Sequence, residues 1–546
     1  MKKVILFLLI TNAVMAQTKP IAGIPELKQP KLVIGIVVDQ MRHDYIYRYW
    51  NKFGNGGFKK IITDGYFYKN AHFNYVPTYT GPGHASIYTG TSPATHGIIA
   101  NDWWVKDSSK MTYCTDDKTV KSIGTDSKAG LMSPKNLLTT TIGDELKLAT
   151  SQQSKVFAVS LKDRSSILPA GHSANGAFWF DGSNGKFISS SHYMNQLPTW
   201  LNEFNNLQLP KQYLSGGWNT LYPIANYTES IADNNNYEQA PNKKDTAIFP
   251  YEYKKQLEKN NYEIIKATPF GNTITKDLAI ACIKAEQLGK GKQTDMLCVS
   301  FSSTDYVGHS YGPRSVEIED VYLRLDKDLE ELLNYLNSNV GKDNYILFLT
   351  ADHGASDVPA HLKDLKIPGG YMNKEDLKKK VQTYCQNVYG DSLVAAIENQ
   401  QIFLNDAKLL AMKLNKFSVE HALANFMLTI NGVAEAYPSE ALKYENYTDG
   451  TFKYLIQKGY NHVRSGNVAF SYNPAWMEYQ NKGTTHGASY SYDTHVPLLF
   501  YGMSIPKGSS VKKVNIVDIA PTVSTILHIS FPNGTTGKPL EELLVK

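Results

Sequence analysis

Short apolar runs rich in β-branched residues alternate along the chain with segments of helical periodicity. The runs occupy positions 32–38, 155–160, 296–300, 345–350 and 498–501. Unbroken runs of this length are typical of strands that are buried on both faces of a parallel sheet. Helical spacing is clearest over 316–339, where leucine, isoleucine and valine recur every three to four positions. The pattern predicts an α/β fold, with a doubly wound, mostly parallel sheet flanked by helices.

Two long regions depart from this alternation and are rich in Asn, Ser, Gly, Tyr and Trp. The first covers about 102–262 and is interrupted by the predicted core strand near 155–164. The second covers about 360–481. We expect both to be cap-like insertions over the active edge of the sheet, within one domain that spans 17–546. A separately folded second domain is the alternative.

The N-terminus has the features of an export signal. Lys2 and Lys3 precede a short apolar stretch at 4–10, and Ala16 precedes Gln17 at the position of a cleavage site. The sequence predicts a signal peptide at 1–16 and a periplasmic or secreted mature protein. The apolar stretch is too short to span a bilayer, so no membrane anchor is expected. A buried first strand or helix is the alternative.

Composition narrows the choice of partner. The chain has 546 residues, is 42% hydrophobic and carries a formal net charge of +5. Charges of both signs are mixed and there is no long basic run, so nucleic acid is not expected as a partner.

None of the four cysteines, Cys114, Cys282, Cys298 and Cys385, forms a CxxC pair. A structural zinc site is therefore not predicted, and the sequence leaves open whether disulfides form.

Aspartate and histidine residues follow the predicted strands in four separate segments. They are Asp39, Asp305, His309, Asp352, His353 and His486. Ligands of doubly wound sheets bind beyond the carboxyl ends of the strands, where these segments meet. Aspartate and histidine together suit zinc ions that keep a coordination position open. Each segment alone is weak evidence, but together they predict a two-metal centre of the kind used for phosphoryl transfer.

Glycines predict the local backbone of two of these segments. Gly308, with the Gly312–Pro313 pair, indicates that Asp305 and His309 lie on a loop rather than inside a helix. Asp352 and His353 are adjacent and would point to opposite faces of a regular strand. Gly354 permits the turn that would bring both to one metal neighbourhood.

Thr80 is the candidate nucleophile. Gly-Pro-Gly follows it and then a helix-like run, which places its hydroxyl at a helix N-terminus that favours anions. A threonine hydroxyl attacks phosphorus only after its proton is removed, and a nearby metal ion favours that loss. Thr78 is an equal rival by spacing alone, and a helix-capping threonine is the structural alternative. His84 and His96 flank this segment and have either an orienting or a structural role.

Lys162 and Arg164 alternate in the segment SLKDR. On an extended backbone both side chains would point to one side. Two cations there would contact the non-bridging oxygens of a dianionic phosphate, which favours monoesters over diesters. A solvated strand end is the alternative.

These segments resemble the alkaline phosphatase superfamily, which includes nucleotide pyrophosphatase/phosphodiesterases. The segments VPTYTGPGHASIYTG, HGIIANDWW and SLKDRSS are similar to those of the PafA-type bacterial alkaline phosphatases. The resemblance implies that Thr80 is the nucleophile, that Asn101 contacts a phosphoryl oxygen, and that Lys162 and Arg164 bind the phosphate. It also implies one zinc on Asp305, His309 and His486, and another on Asp39, Asp352, His353 and the Thr80 oxygen.

The expected protein is thus an exported two-zinc phosphomonoesterase, an alkaline phosphatase that works through a phosphothreonine intermediate. We find no clear third acidic cluster, so no essential Mg²⁺ is predicted. Phosphate monoesters are the expected substrates, and the oligomeric state is open. A phosphodiesterase of the same superfamily is the first alternative, and a zinc-dependent binding protein is the non-enzymatic one. A sulfatase would need cysteine or serine in place of Thr80.

Overall fold

The structure is a computed structural model that describes residues 29–239 and 246–544. The predicted signal peptide at 1–16 lies outside the described residues. Within the described ranges, no helix is both long and apolar enough to cross a membrane. All four cysteines are buried and carry free thiols.

The strands are numbered in chain order. They are β1 (Leu32–Val38), β2 (Tyr66–His72), β3 (Asp102–Val105), β4 (Lys110–Tyr113), β5 (Ser122–Ile123), β6 (Val156–Ser160), β7 (Gly176–Asp181), β8 (Lys186–Ser190), β9 (Asp295–Phe301), β10 (Tyr345–Thr350), β11 (Gly370–Tyr371), β12 (Val394–Glu398), β13 (Gln401–Leu404), β14 (Val433–Pro438), β15 (Val468–Tyr472), β16 (Trp476–Met477), β17 (His495–Gly502), β18 (Gly508–Ser510) and β19 (Val514–Asn515).

The α-helices lie between these strands. They are α1 (Asp44–Arg48), α2 (Phe58–Asp64), α3 (Thr80–Thr89), α4 (Pro93–His96), α5 (Ile142–Ala149), α6 (Asp163–Ala170), α7 (Thr199–Asn206), α8 (Leu209–Ser215), α9 (Lys254–Glu258), α10 (Phe270–Glu286), α11 (Ser303–Tyr311), α12 (Val316–Leu336), α13 (Pro359–Asp364), α14 (Lys374–Tyr389), α15 (Asp406–Ala411), α16 (Lys416–Met427), α17 (Ser439–Tyr444), α18 (Phe452–Gly459), α19 (Ser491–Thr494) and α20 (Ile519–Leu527).

The main sheet has the strand order β18-β2-β17-β10-β1-β9-β6-β7-β8-β5. Its centre, from β10 through β1, β9 and β6 to β7, is parallel throughout, as the sequence predicted. The apolar run at 498–501 was expected to be one more parallel strand, and that expectation is wrong. It lies in β17, which pairs antiparallel with both β10 and β2. An apolar run indicates that a strand is buried on both faces, but it does not indicate whether the strand pairs parallel or antiparallel with its neighbours.

Close packing of helices against the sheet explains why the central strands are so apolar. All seven residues of β1 are buried. Helix α12 begins at the cap of Ser315, whose side chain accepts a hydrogen bond from the Ile318 amide, and it runs for 21 residues with its apolar stripe buried. It matches the helix predicted from the spacing of leucines and isoleucines over 316–339.

The two regions expected to be insertions differ in structure. In the first, β7 and β8 extend the main sheet, while β3 and β4 form a separate hairpin. In the second, a four-stranded sheet with the order β12-β13-β15-β14 packs against α14 and α16. This smaller sheet has an apolar cluster of its own, which includes Leu377, Val419 and Val468.

Three histidines stack where β2 and β17 pair. The ring centroids of His43 and His495 lie 3.9 Å apart, and those of His72 and His495 lie 4.5 Å apart. Burial, and then the neighbouring His495, lower the pKa of His43 and of His72 to about 4. Burial also lowers the pKa of His495. The fold therefore holds these rings in their neutral form.

We expect this stack to make the folded protein sensitive to acid. Between about pH 6.5 and pH 4 the unfolded chain binds protons that the folded stack does not, so stability falls as the pH is lowered through this range. His43→Phe keeps an aromatic ring but removes a titrating group, and it should lose less thermal stability between pH 7 and pH 4.5 than the parent protein. His462→Phe at an exposed position is the control. Equal losses in the parent and in His43→Phe would contradict the prediction.

Candidate active site

Three neighbouring strands bring the predicted carboxylates to one edge of the sheet. Asp39 directly follows β1, α11 begins shortly after β9, and Asp352 comes two residues after β10. Because β1 pairs in parallel with both β9 and β10, the segments after these strands emerge side by side. The Asp39 amide also donates to the Phe301 carbonyl at 3.0 Å, which ties the end of β1 to the end of β9.

The expected loop around Asp305 and His309 is wrong. Both residues lie on helix α11, one turn apart, with Nε2 of His309 3.3 Å from Oδ1 of Asp305. Gly308 is inside the helix for a steric reason, because a Cβ at this position would collide with the side chain of Gln40. Gly312, with φ +86°, ends the helix in a conformation that favours glycine.

The three predicted histidines present the same ring nitrogen to the site. In each, Nδ1 faces a backbone carbonyl, which can only accept, so Nδ1 carries the proton and Nε2 is available as a metal ligand. The pairs are His309 with Thr484 at 2.8 Å, His353 with Gly354 at 3.0 Å, and His486 with Thr78 at 2.7 Å.

The ligand atoms form two adjoining groups. Asp305, His353 and His486 each place a ligand atom within 4.8 Å of the others, and so do Asp39, His84 and Asp352. Nε2 of His353 also lies 3.3 Å from Oδ2 of Asp352, so His353 stands between the two groups. The rings of His353 and His486 stack with centroids 3.4 Å apart.

His84 lies behind the second group. Its Nδ1 is 3.0 Å from the Thr80 carbonyl and its Nε2 is 3.0 Å from the Ser300 hydroxyl. Ser300 in turn donates to Oδ1 of Asp39 at 2.8 Å. Both ring nitrogens of His84 thus have protein partners, and the ring connects the start of α3 to the carboxylate of Asp39.

Two buried atoms of the cluster suit a bound cation. Oδ2 of Asp352 and Nε2 of His353 are buried and have no hydrogen-bond partner among the described residues. Both side chains have no exposed surface. A buried polar atom without a partner is costly, and coordination of a metal ion would remove that cost. Carboxylate oxygens and imidazole nitrogens together are the ligands that zinc takes.

Burial shifts the pKa values of one carboxyl and two imidazoles in this cluster. Burial, and next the charge of Asp39, raise the pKa of Asp352 to about 7. Burial lowers the pKa of His353 to about 4 and holds that of His486 well below its usual range. Neutral imidazole is the form that binds metal ions.

Thr80 is the first residue of α3, as the sequence predicted. The Gly81 amide donates to Oδ1 of Asn101 at 2.8 Å, which leaves the Asn101 amide group as a donor near the start of this helix. Gly83 allows the helix to approach the metal-ligand segment, because a Cβ there would collide with the backbone of Asp352. The rival Thr78 donates its hydroxyl to Oδ1 of Asp493 at 2.6 Å.

Lys162 and Arg164 do not lie on an extended segment, so that expectation is wrong. Lys162 is the extended residue that caps α6, and Arg164 belongs to the helix. Nζ of Lys162 lies 2.6 Å from Oδ2 of Asp305 and 2.9 Å from Oδ2 of Asp39. Burial acts to lower the pKa of Lys162, but these two carboxylates outweigh it and raise that pKa.

Arg164 is partly buried and comes two residues after Lys162 in the chain. Its Nη1 contacts the Tyr113 hydroxyl at 2.9 Å, while its buried Nε has no hydrogen-bond partner among the described residues. The Lys162 ammonium also lies 5.0 Å from the centre of the Tyr306 ring. The helix start therefore brings both cations towards the same end of the sheet as the ligand cluster.

Three polar residues near the site went unnoticed in the sequence. Gln40 donates its amide to Oδ1 of Asp352 at 3.0 Å and its side-chain Nε2 to Oδ1 of Asp305 at 2.8 Å. Its φ of +61° turns the chain at the end of β1. The only sequence signal for Gln40 was its position directly after Asp39.

The other two residues form the turn between β12 and β13. Nδ2 of Asn399 donates to the carbonyl of Asp102 at 2.6 Å, and Nε2 of Gln400 donates to the carbonyl of Gly487 at 3.0 Å. These carbonyls belong to the residues that follow Asn101 and His486. The smaller sheet therefore contacts the main site through this turn, and no motif in the sequence signals it.

A mixed α/β sheet with an aspartate–histidine cluster beyond its central strands, beside a threonine at a helix start, defines a member of the alkaline phosphatase superfamily. Residues 33–493 match the family model described as type I phosphodiesterase / nucleotide pyrophosphatase. The match spans most of the chain, and the protein belongs to this family.

The chain is also similar in sequence and in structure to named alkaline phosphatases. The chain is 46% identical to alkaline phosphatase PhoV of Synechococcus elongatus, over 97% of this chain and 96% of that protein. It is 44% identical to alkaline phosphatase PafA of Elizabethkingia meningoseptica, over 100% of this chain and 99% of that protein. The crystal structure of wild-type PafA superposes with a TM-score of 0.91 at 45% identity, covering 94% of this chain and 99% of that one.

Proposed function

We propose that the protein is an exported alkaline phosphatase, a two-zinc enzyme that hydrolyses phosphate monoesters through a phosphothreonine intermediate. The observation that carries this proposal is the pair of adjoining ligand groups, with unpartnered buried atoms on Asp352 and His353, beside Thr80 at the start of α3. Alkaline phosphatase is also the name of the PhoV and PafA relatives.

Six protein side chains would hold the metal ions. Asp305, His309 and His486 would hold one zinc, and Asp39, Asp352 and His353 would hold the other together with the Thr80 oxygen. The orientation of every histidine supports a role as a metal ligand, since each has Nδ1 on a backbone carbonyl and leaves Nε2 available. The division itself follows the family resemblance, because by distance His353 groups with Asp305 and His486. When bound, the two ions would supply Lewis-acid stabilisation of the attacking and the leaving oxygens.

The protein side chains would then act in turn. Oγ of Thr80 forms a bond to phosphorus as the bond to the leaving oxygen breaks, in line with the attack. This step yields phosphothreonine, and the leaving oxygen takes up a proton in place of the one that the Thr80 hydroxyl has released, which gives the free alcohol. Water hydrolyses the phosphothreonine, which releases phosphate and restores the Thr80 hydroxyl. Asn101, whose Oδ1 is occupied by the Gly81 amide, offers its NH₂ group to a phosphoryl oxygen.

Lys162 and Arg164 favour monoesters over diesters in this proposal. A monoester brings a second negative charge, and the Lys162 and Arg164 side chains would supply two positive charges to it. The experiment is to compare kcat/KM for matched aryl monoesters and diesters with the zinc-loaded protein. We expect monoesters to be preferred by about 100-fold or more, which is the scale of two charged hydrogen bonds. A preference for diesters would favour the phosphodiesterase activity that the family name describes.

Lys162→Ala and Arg164→Ala should each reduce monoester hydrolysis more than diester hydrolysis. A charged hydrogen bond to a phosphoryl oxygen contributes about 1.5–3 kcal/mol, which is roughly 10- to 100-fold in rate. A diester carries a substituent in place of one of those oxygens, so it loses less when a cation is removed. Losses of equal size for both substrate classes would mean that the cations support the site generally. Metal content measured on each variant separates these effects from loss of zinc, because Lys162 also contacts Asp39 and Asp305.

The remaining proposals concern the export of the protein, its magnesium requirement and its domain organisation. We propose cleavage near Ala16–Gln17, a periplasmic or secreted mature enzyme without a membrane anchor, and no essential Mg²⁺. We also propose that 17–546 forms one catalytic domain with two insertions. N-terminal sequencing of the mature protein tests the cleavage site. Activity of zinc-loaded enzyme that is free of magnesium tests the metal requirement.

A further inference from the structure

A cavity of about 250 Å³ opens beside the proposed active site. It is lined by His486, Asn101 and Tyr79, each of which is a proposed site residue or its neighbour. In the proposed function, His486 belongs to the ligand set that does not share the Thr80 oxygen, so an ion held there would stabilise the leaving oxygen. An in-line displacement places the leaving group on the side of phosphorus opposite to Thr80. Because His486 lines the cavity, the alcohol portion of a substrate would extend into it.

The turn between β12 and β13 closes one side of this cavity. Asn399 and Gln400 line it and hydrogen-bond the carbonyls that follow Asn101 and His486. Both turn residues have positive φ, 54° and 59°. The wall of the cavity and the proposed catalytic segments are thus held in one hydrogen-bonded arrangement, which makes the cavity a formed part of the site.

The cavity walls combine aromatic rings with carboxylates. The rings belong to Tyr79, Tyr472 and Trp476, and the carboxylates to Asp102, Glu398 and Glu478. The lining includes a single cation in this part of the described chain, Lys374, whose Nζ lies 2.5 Å from Oε2 of Glu398. Lys374 therefore pairs directly with Glu398, and among the described residues it forms no direct ion pair with Asp102 or Glu478.

The environment of these two carboxylates favours a positively charged occupant. Asp102 is exposed at one side, but partial desolvation of its carboxyl, and next the charge of Glu398, raise its pKa. Burial also raises the pKa of Glu478, which accepts a hydrogen bond from the Tyr472 hydroxyl. Burial therefore disfavours negative charge on both side chains, so each ionised carboxylate would gain from positive charge close by in addition to that of Lys374. An ammonium group would provide it, and aromatic faces attract such cations as well.

We propose that this cavity is a leaving-group subsite that selects phosphate monoesters of small cationic alcohols, such as amino alcohols and choline. This inference rests on the proposed phosphomonoesterase function. The dianionic phosphate would contact Asn101, Lys162 and Arg164, while the ammonium end would face the carboxylates and rings of the cavity. Esters with a second anionic group would be disfavoured, because that group would face Asp102 and Glu478. The cavity volume suits an alcohol of a few carbon atoms.

The test compares substrates that differ in one charge. Choline phosphate and its neutral isostere 3,3-dimethylbutyl phosphate have nearly the same shape and leaving-oxygen chemistry. We expect kcat/KM to be about tenfold higher for choline phosphate, the scale of a cation–π contact together with an ion pair. The difference should shrink as salt is added, because the cavity is partly open to water. Equal values for the two esters, or a preference for the neutral one, would overturn the inference.

Variants that remove a charge from the cavity test whether its carboxylates cause the preference for choline phosphate. Glu478→Gln and Asp102→Asn should each reduce the choline phosphate preference severalfold and change hydrolysis of the neutral isostere much less. Glu375→Gln is the matched control, because Glu375 is exposed and adjoins Lys374 without lining the cavity. An unchanged preference in both cavity variants would place the selectivity elsewhere and refute the assignment.

A reference substrate separates this inference from the proposed function. If the zinc-loaded protein hydrolyses 4-nitrophenyl phosphate but does not distinguish choline phosphate from its isostere, only the subsite assignment fails. If it hydrolyses no monoester, the proposed function fails and the subsite assignment fails with it. Turnover of 4-nitrophenyl phosphate by each variant also shows that the variant has folded. If the parent protein and Glu478→Gln both preferred a neutral sugar phosphate over choline phosphate, and to the same extent, that result would also refute a cation subsite.

Discussion

Replacing Thr80 with alanine is expected to lower kcat for monoesters by roughly 10³-fold or more, with both metal sites still filled. The hydroxyl is the group that we propose attacks phosphorus, and alanine offers no nucleophile in its place. The loss falls on kcat and kcat/KM together, because the missing bond forms only in the transition state. Six protein ligands remain in Thr80→Ala, so zinc content measured by atomic spectroscopy should stay close to the parent value.

Thr78→Ala is the matched comparison, since the two threonines are two positions apart. In the parent protein the Thr78 hydroxyl donates a hydrogen bond to the buried carboxylate of Asp493. The alanine variant should therefore be less stable by about 1–3 kcal/mol. We expect only a small loss of kcat, because the Thr78 carbonyl that orients His486 is retained. Thr80→Ser keeps a hydroxyl and should recover part of the activity. If Thr78→Ala abolished turnover while Thr80→Ala did not, the assignment of the nucleophile would be wrong.

Acid quenching gives an independent test of the same residue. Phosphothreonine formed during turnover is expected on the peptide that contains Thr80, in parent protein quenched at low pH. Thr80→Ala should show none. Phosphate mapped to another residue of the parent protein would contradict the mechanism even if the kinetic result agreed with it.

The sequence predicted the elements whose local pattern and burial agree. Strand β1 is apolar because both of its faces are covered, and α12 shows helical spacing because one face packs on the core. The start of α3 at Thr80 was visible because the Gly-Pro-Gly segment follows it. In each case the residues that specify the element are neighbours in the sequence, so local patterns are sufficient.

The failed expectations depend on distant contacts. Gly308 suggested a loop, but it is a helical residue that makes room for Gln40, which is 268 positions away in the chain. Lys162 and Arg164 alternate as on a strand, yet the chain turns into α6 at Asp163. The turn of Asn399 and Gln400 consists of ordinary polar residues whose importance comes from the carbonyls they reach. A single sequence does not encode such contacts in any local pattern.

Removing the metal ions should abolish activity and lower the melting temperature, and adding zinc should restore both. Burial, and next the charge of the nearby Asp39, raise the pKa of Asp352 to about 7. Without a cation, the fold must bury these carboxylates and the unpartnered Nε2 of His353 uncompensated. A ligand that binds only the folded state adds stability that grows with the logarithm of its concentration over its Kd. A metal held tightly by three or more side chains therefore contributes several kcal/mol.

Asp305→Ala tests whether Asp305 binds the same zinc ion as His309 and His486. It removes one carboxylate of the set that would include His309 and His486, so we expect about one equivalent of zinc to be lost per chain. Asp357→Ala is a useful control, because its carboxylate bonds Arg314 and Arg42 and is not a proposed ligand. It should retain both equivalents. A metal-free protein with full activity, or one that melts at an unchanged temperature, would show that this cluster does not hold catalytic metal ions.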